Sequence, residues 1–81
     1  MLERFLAWWK TPPLRDRVLE VLRSYSFDLT AIDIARDIDD NWPPLGRVYP
    51  VLMRLEREGV VESRWLTDVR PRRRVYWLKD K

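Results

Sequence analysis

Apolar residues recur along this chain with two different periods, and the period changes near Gly59. Before Gly59 they return every three or four residues, the spacing of one face of an α-helix. After it they alternate, as in a strand. Leu2, Phe5, Leu6 and Trp9 outline a short first helix. Thr11-Pro12-Pro13 ends it, because proline disfavours helical geometry in the residue before it. Pro13 suits the first turn of a second helix with the stripe Leu14, Val18, Leu19 and Leu22, Val21 lying beside it. That helix ends near Ser24 or Tyr25, and Phe27-Asp28-Leu29 reads as an extended link or minor strand. Thr30 is a good N-cap for a third helix from Ala31 to Ile38, with Asp33 near its positive end. Ile32, Ile34, Ala35 and Ile38 form its expected buried side.

Trp42-Pro43-Pro44 is a rigid turn into a fourth helix, over residues 45–58. Val48, Val51, Leu52 and Leu55 should face the core, with Arg47, Pro50, Arg54 and Arg57 opposite and Tyr49 and Met53 at the boundary. Gly59 is placed to close it as a left-handed cap. In the next stretch Val61, Ser63, Trp65 and Thr67 share one face and Val60, Glu62, Arg64 and Leu66 the other. A return strand carries Tyr76 and Leu78 on one side and Val75 and Trp77 on the other. The tip, Val69-Arg70-Pro71-Arg72-Arg73, has no apolar anchor and should project into solvent. These elements define an α+β fold: a winged helix-turn-helix with a three-helix core, a two- to three-stranded β-hairpin wing and an extra short N-terminal helix. The division is residues 1–11, an amphipathic helix, and residues 12–81, the winged-helix domain.

Composition narrows the chemistry. The 81 residues contain no cysteine and no histidine. This removes thiolate metal sites, disulfides and the commonest general base. Two glycines are too few for a phosphate-cradling loop. The aspartates at 28, 33, 37, 39 and 40 do not have the spacing of a calcium loop, and a solvated helix face explains them. No catalytic set, metal or cofactor is therefore expected. No apolar run approaches the roughly 20 residues that cross a bilayer, and the N-terminus lacks the pattern of a signal peptide, so a cytoplasmic protein is expected.

Charge is unevenly placed. Residues 1–46 carry six cations and eight anions, whereas residues 47–81 carry ten cations and five anions. Thirteen of the sixteen cations are arginine, whose forked donors suit phosphates and guanine edges. A GC-rich genome also raises arginine content, but it does not explain four arginines among residues 70–74. A basic half points to a polyanion. Candidate contacts are Gly46, where a backbone can come close, then Arg47 for a base edge and Arg54 for a phosphate, with Tyr49 and Pro50 between them. On the wing they are Arg70, Arg72, Arg73 and Arg74. The plainer readings are a helix with solvated arginines and a charged tip that keeps a sheet edge soluble.

Val48-Tyr49-Pro50, Leu52, Arg54-Leu55-Glu56 and Glu58-Gly59-Val60-Val61-Glu62, followed by Arg70-Pro71-Arg72-Arg73 and Tyr76-x-Leu78, resemble the PadR family of winged-helix transcriptional regulators. The close match covers about 35 residues, Arg47 to Lys79; upstream only helix order and hydrophobic pattern agree. The resemblance implies double-stranded DNA binding by a homodimer, usually for repression. It points to Arg47, Tyr49, Pro50 and the wing arginines. The sequence departs from the family pattern in starting its recognition helix at Pro43-Pro44-Leu45, without a capping serine or threonine. It also shows no C-terminal dimerisation helices after the wing. The expectation is a minimal form with no small-molecule effector, with Leu2, Phe5, Trp8 and Trp9 supplying a substitute dimer contact. Compactness and arginine bias suit a phage or mobile-element regulator. Two other readings remain at this level: an excisionase-like DNA-bending factor, and a protein-interaction module docking through Trp42, Trp65 and Trp77.

Overall fold

Local signals account for most of the elements. In the computed structural model, which describes residues 13–80, helix α1 spans Leu14–Ser24 and buries Val18, Val21 and Leu22. The N-terminal helix expected over residues 2–9 lies outside the described residues. Strand β1 is Leu29–Thr30, one residue beyond the expected link. Helix α2, Ala31–Ile38, begins at a capping box: the Thr30 hydroxyl accepts the Asp33 N–H, and the Asp33 carboxylate accepts the Thr30 N–H. Such a cap contributes about 1 kcal/mol. At its other end Arg17 of α1 donates to the Ile38 carbonyl at 3.0 Å, supplying a terminal acceptor with a partner.

Helix α3, Leu45–Arg57, starts at Pro44 with no side-chain cap. It ends as its glycine predicts. Gly59 has φ +80°, its N–H reaches the Glu56 carbonyl, and the Val60 N–H reaches the Leu55 carbonyl. These paired bonds form a Schellman motif. Pro50 sits at the sixth residue of α3, past the first turn, so the Gly46 carbonyl loses its helical donor. Gly46 is exposed, which leaves that carbonyl to water.

Strands β2, Val61–Leu66, and β3, Arg73–Leu78, complete a three-stranded antiparallel sheet in the order β1-β3-β2. Register pairs Val61 with Leu78, Ser63 with Tyr76, Trp65 with Arg74 and Leu29 with Tyr76. The inner face thus brings Val61, Leu29 and Tyr76 onto the helices, where they join Val18, Ile34, Val48, Leu52 and Leu55 in one core. Three helices against a small sheet with a projecting hairpin make this a winged helix. Among the described residues no helix is long and apolar enough to cross a membrane.

Two expectations fail here. Ile32 is 44% exposed, and Ala31 takes the buried position instead. Ala31 and Ala35 are small enough to bring α2 close to its neighbours, and the face they set turns Ile32 outward. The tryptophans also do not share a surface. Trp65 lies on the inner face of the sheet, Trp77 is opposite Glu62 on the outer face, and Trp42 is 82% exposed in the α2–α3 turn.

Candidate nucleic-acid interface

Helix α3 holds the exposed side chains in place through its buried side. Val48, Leu52 and Leu55 are fully buried, which turns Gly46, Arg47, Pro50 and Arg54 to solvent. A Cβ added at Gly46 would meet nothing within 4 Å, so no packing inside the chain requires glycine there. The open space is consistent with close approach from outside. Tyr49 is half-exposed and leans with Met53 toward the wing rather than toward α1. On the other flank, Pro50, Val51 and Arg54 form a shallow pocket with Arg15 of α1. Arg15 is held by Glu58 at 2.8 Å. That hydrogen bond lowers the Glu58 pKa and raises that of Arg15, with the Coulombic attraction acting in the same direction.

The wing divides its arginines. The loop between β2 and β3 covers residues 67–72 and exposes Arg70 and Arg72, with a cis peptide bond between Arg70 and Pro71. Arg73 and Arg74 are not part of the tip, as the sequence had suggested, but open strand β3. Arg73 remains exposed. Arg74 turns inward. Its Nε donates to Ser63 Oγ at 2.9 Å, and a guanidinium nitrogen donates to both oxygens of Glu56, at 3.0 and 3.1 Å. Ser63 Oγ in turn donates to Glu56 Oε2 at 2.7 Å. The guanidinium also lies over the Trp65 and Tyr76 rings, 5.7 and 5.9 Å from their centroids. This network joins both wing strands to the last turn of α3. Arg74 is therefore a positioning residue in this geometry and not a free cation.

Between these parts lies a cleft of about 620 Å³. Its walls come from α2 (Ile32 and Arg36), from α3 (Tyr49 and Met53) and from the wing (Trp65, Arg72 and Arg73). The cleft thus lies between the Tyr49–Met53 edge of α3 and the wing, whereas Pro50 and Arg54 lie on the other flank of the helix. Tyr76 forms part of the inner wall, and burial pushes its phenol pKa up. Sequence reasoning missed Arg36, Ile32 and the Glu56–Ser63–Arg74 network. No charge signal pointed to Arg36, the lone cation of α2 beside two aspartates, and nothing local points to a contact between residues 18 positions apart.

Three of the aspartates serve the fold. Asp33 caps α2, and Asp37 accepts the Tyr25 hydroxyl at 2.6 Å. Asp39 accepts the N–H groups of Asn41 and Trp42 in the turn before α3. Among the described residues no group of three carboxylates could hold a metal ion.

A helix-turn-helix whose second helix is exposed beside a basic hairpin defines the class: a winged-helix nucleic-acid-binding protein. The family comparison agrees. The model of the transcriptional regulator PadR-like family matches residues 18–81, and the chain belongs to that family. It is accordingly a transcriptional regulator of a DNA-binding type. A search of curated proteins finds no relative that matches it.

Proposed function

We propose that the chain is a sequence-specific repressor that binds double-stranded DNA as a homodimer. Helix α3 enters the major groove, with Gly46 allowing close approach, Arg47 at a base edge, Tyr49 and Pro50 along the groove wall and Arg54 on a phosphate. The wing places Arg70, Arg72 and Arg73 on the flanking backbone or in the minor groove. Arg74 acts by holding the wing at its angle to α3. The dimer contact assigned to Leu2, Phe5, Trp8 and Trp9 belongs to this proposal. One observation carries the reading: Arg47 and Arg54 of α3 and Arg70, Arg72 and Arg73 of the wing are all exposed, and none of them is in an ion pair among the described residues.

The test is selection of bound DNA from a random duplex pool at about 0.1 M salt, where phosphate contacts still contribute strongly. The expected product is a palindrome with half-sites about one helical turn apart. In the selected site, Arg47→Ala should cost about 1–3 kcal/mol at one base position and leave the others unchanged. Absence of any enriched sequence would reject the reading.

A further inference from the structure

We propose that the cleft between α2, α3 and the wing docks an acidic amphipathic peptide helix, and that this occupant excludes DNA. Four large apolar side chains form its surface. Ile32, Tyr49, Met53 and Trp65 are 44%, 45%, 59% and 56% exposed, yet all four line this one cleft. A contiguous apolar patch with a polar rim marks an interaction site rather than ordinary surface. Aromatic residues, methionine and arginine are the types enriched where proteins meet, and methionine adapts its shape to a partner.

Charge selects the occupant. Arg36, Arg72 and Arg73 line the cleft, and among the described residues none is in an ion pair. The carboxylate of the cleft, Asp33, is turned to the Thr30 N–H as a helix cap. Arg74 is already neutralised by Glu56. With three such arginines against one carboxylate, the site presents net positive charge around an apolar floor. A sugar–phosphate strand would satisfy the arginines but offer little to match the four apolar side chains. A helix with large apolar residues at i and i+3 or i+4, flanked by aspartate or glutamate, satisfies both. Because its rim includes the wing arginines assigned to DNA, the two ligands compete. The competition rests on the DNA-binding reading, whereas peptide docking itself does not.

The experiment uses the full-length chain as bait for a displayed library of random peptides, followed by direct titration with the synthesised consensus peptide. Enrichment of an acidic–apolar helical pattern is expected. Met53→Ala and Trp65→Ala should each weaken the consensus peptide by about fivefold or more, as truncation of a central interface residue does. Ile32→Ala provides the same readout on α2, which contributes no member of the Glu56–Ser63–Arg74 network, and circular dichroism confirms that each variant is folded. The peptide should also displace the selected duplex. Failure to enrich such a pattern, or peptide binding indifferent to all three substitutions, would overturn the proposal. So would a fall in duplex affinity on Met53→Ala and Trp65→Ala as large as that on Arg72→Ala, since this would give the apolar floor to DNA. Peptide docking without any duplex binding would reject the DNA reading and leave the docking site standing.

Discussion

The tip and the base of the wing are built from the same residue and do different work. Arg72 and Arg74 are two positions apart, yet Arg72 is exposed in the loop while Arg74 is bonded to Glu56 and Ser63 and lies over two aromatic rings. The difference comes from where strand β3 begins. Once Arg73 and Arg74 enter the ladder, side-chain alternation turns Arg74 to the inner face, where Glu56 of α3 awaits it. An arginine run is therefore not one functional unit. Its outer part stays exposed and outside any ion pair among the described residues, and its inner part ties the hairpin to α3.

The largest effect should follow from removing the free charge. Combined replacement of Arg70, Arg72 and Arg73 by alanine should lower DNA affinity on every sequence and reduce the salt slope by about 0.9 for each lost phosphate contact. Thermal stability should hardly move, since exposed side chains without bonds usually shift it by less than about 0.5 kcal/mol. Affinity measured over a salt series checks this, and an unchanged slope would remove the wing tip from the interface.

A smaller effect, and of the opposite kind, is expected at the base. Glu56→Ala removes the carboxylate that accepts from the Ser63 hydroxyl and the Arg74 guanidinium, leaving Arg74 only its bond to Ser63 Oγ. It should cost about 1 kcal/mol of folding stability, a modest figure because both partners are a third or more exposed. Arg74→Ala should cost about the same, and the double substitution little more than either alone, because the two residues share one interaction. Denaturant unfolding of the four proteins tests it. Strictly additive losses would mean that the base is no more coupled than the tip.

The smallest effect concerns a second ion-paired arginine, Arg15. Its hydrogen bond holds the Glu58 carboxyl below its ordinary pKa. A depressed folded-state pKa gives stability that is present above the unfolded value, about 4.5, and is lost as pH falls through the folded one. The melting temperature of Glu58→Gln should therefore lie slightly below the parent's near neutrality and converge on it in acid. Curves that stay parallel into acid would show that Glu58 contributes nothing through its charge.

Much of this architecture was legible in residue order. The stripes of α1 and α3, the Thr30 cap, the Gly59 stop and the alternating hairpin depend on neighbours within a few positions, and the backbone obeys them. The exposed α3 face could be read for the same reason, because burying Val48, Leu52 and Leu55 leaves Arg47, Pro50 and Arg54 on the opposite side. Hydrophobicity misled at Ile32, since the short helix α2 offered two apolar faces and close packing chose the one with alanines. The three tryptophans also looked equivalent until strand register separated Trp65 from Trp77.

What the sequence determined by itself is the set of elements, their order and the uneven placement of charge, because each follows from local geometry or from simple counting. The tertiary structure alone decided which arginines remain free. Glu56, Ser63 and Arg74 lie far apart in the chain and meet only because α3 packs on the sheet. The cleft was decided in the same way, since Ile32, Tyr49, Met53 and Trp65 come from three elements that become neighbours only when the core closes.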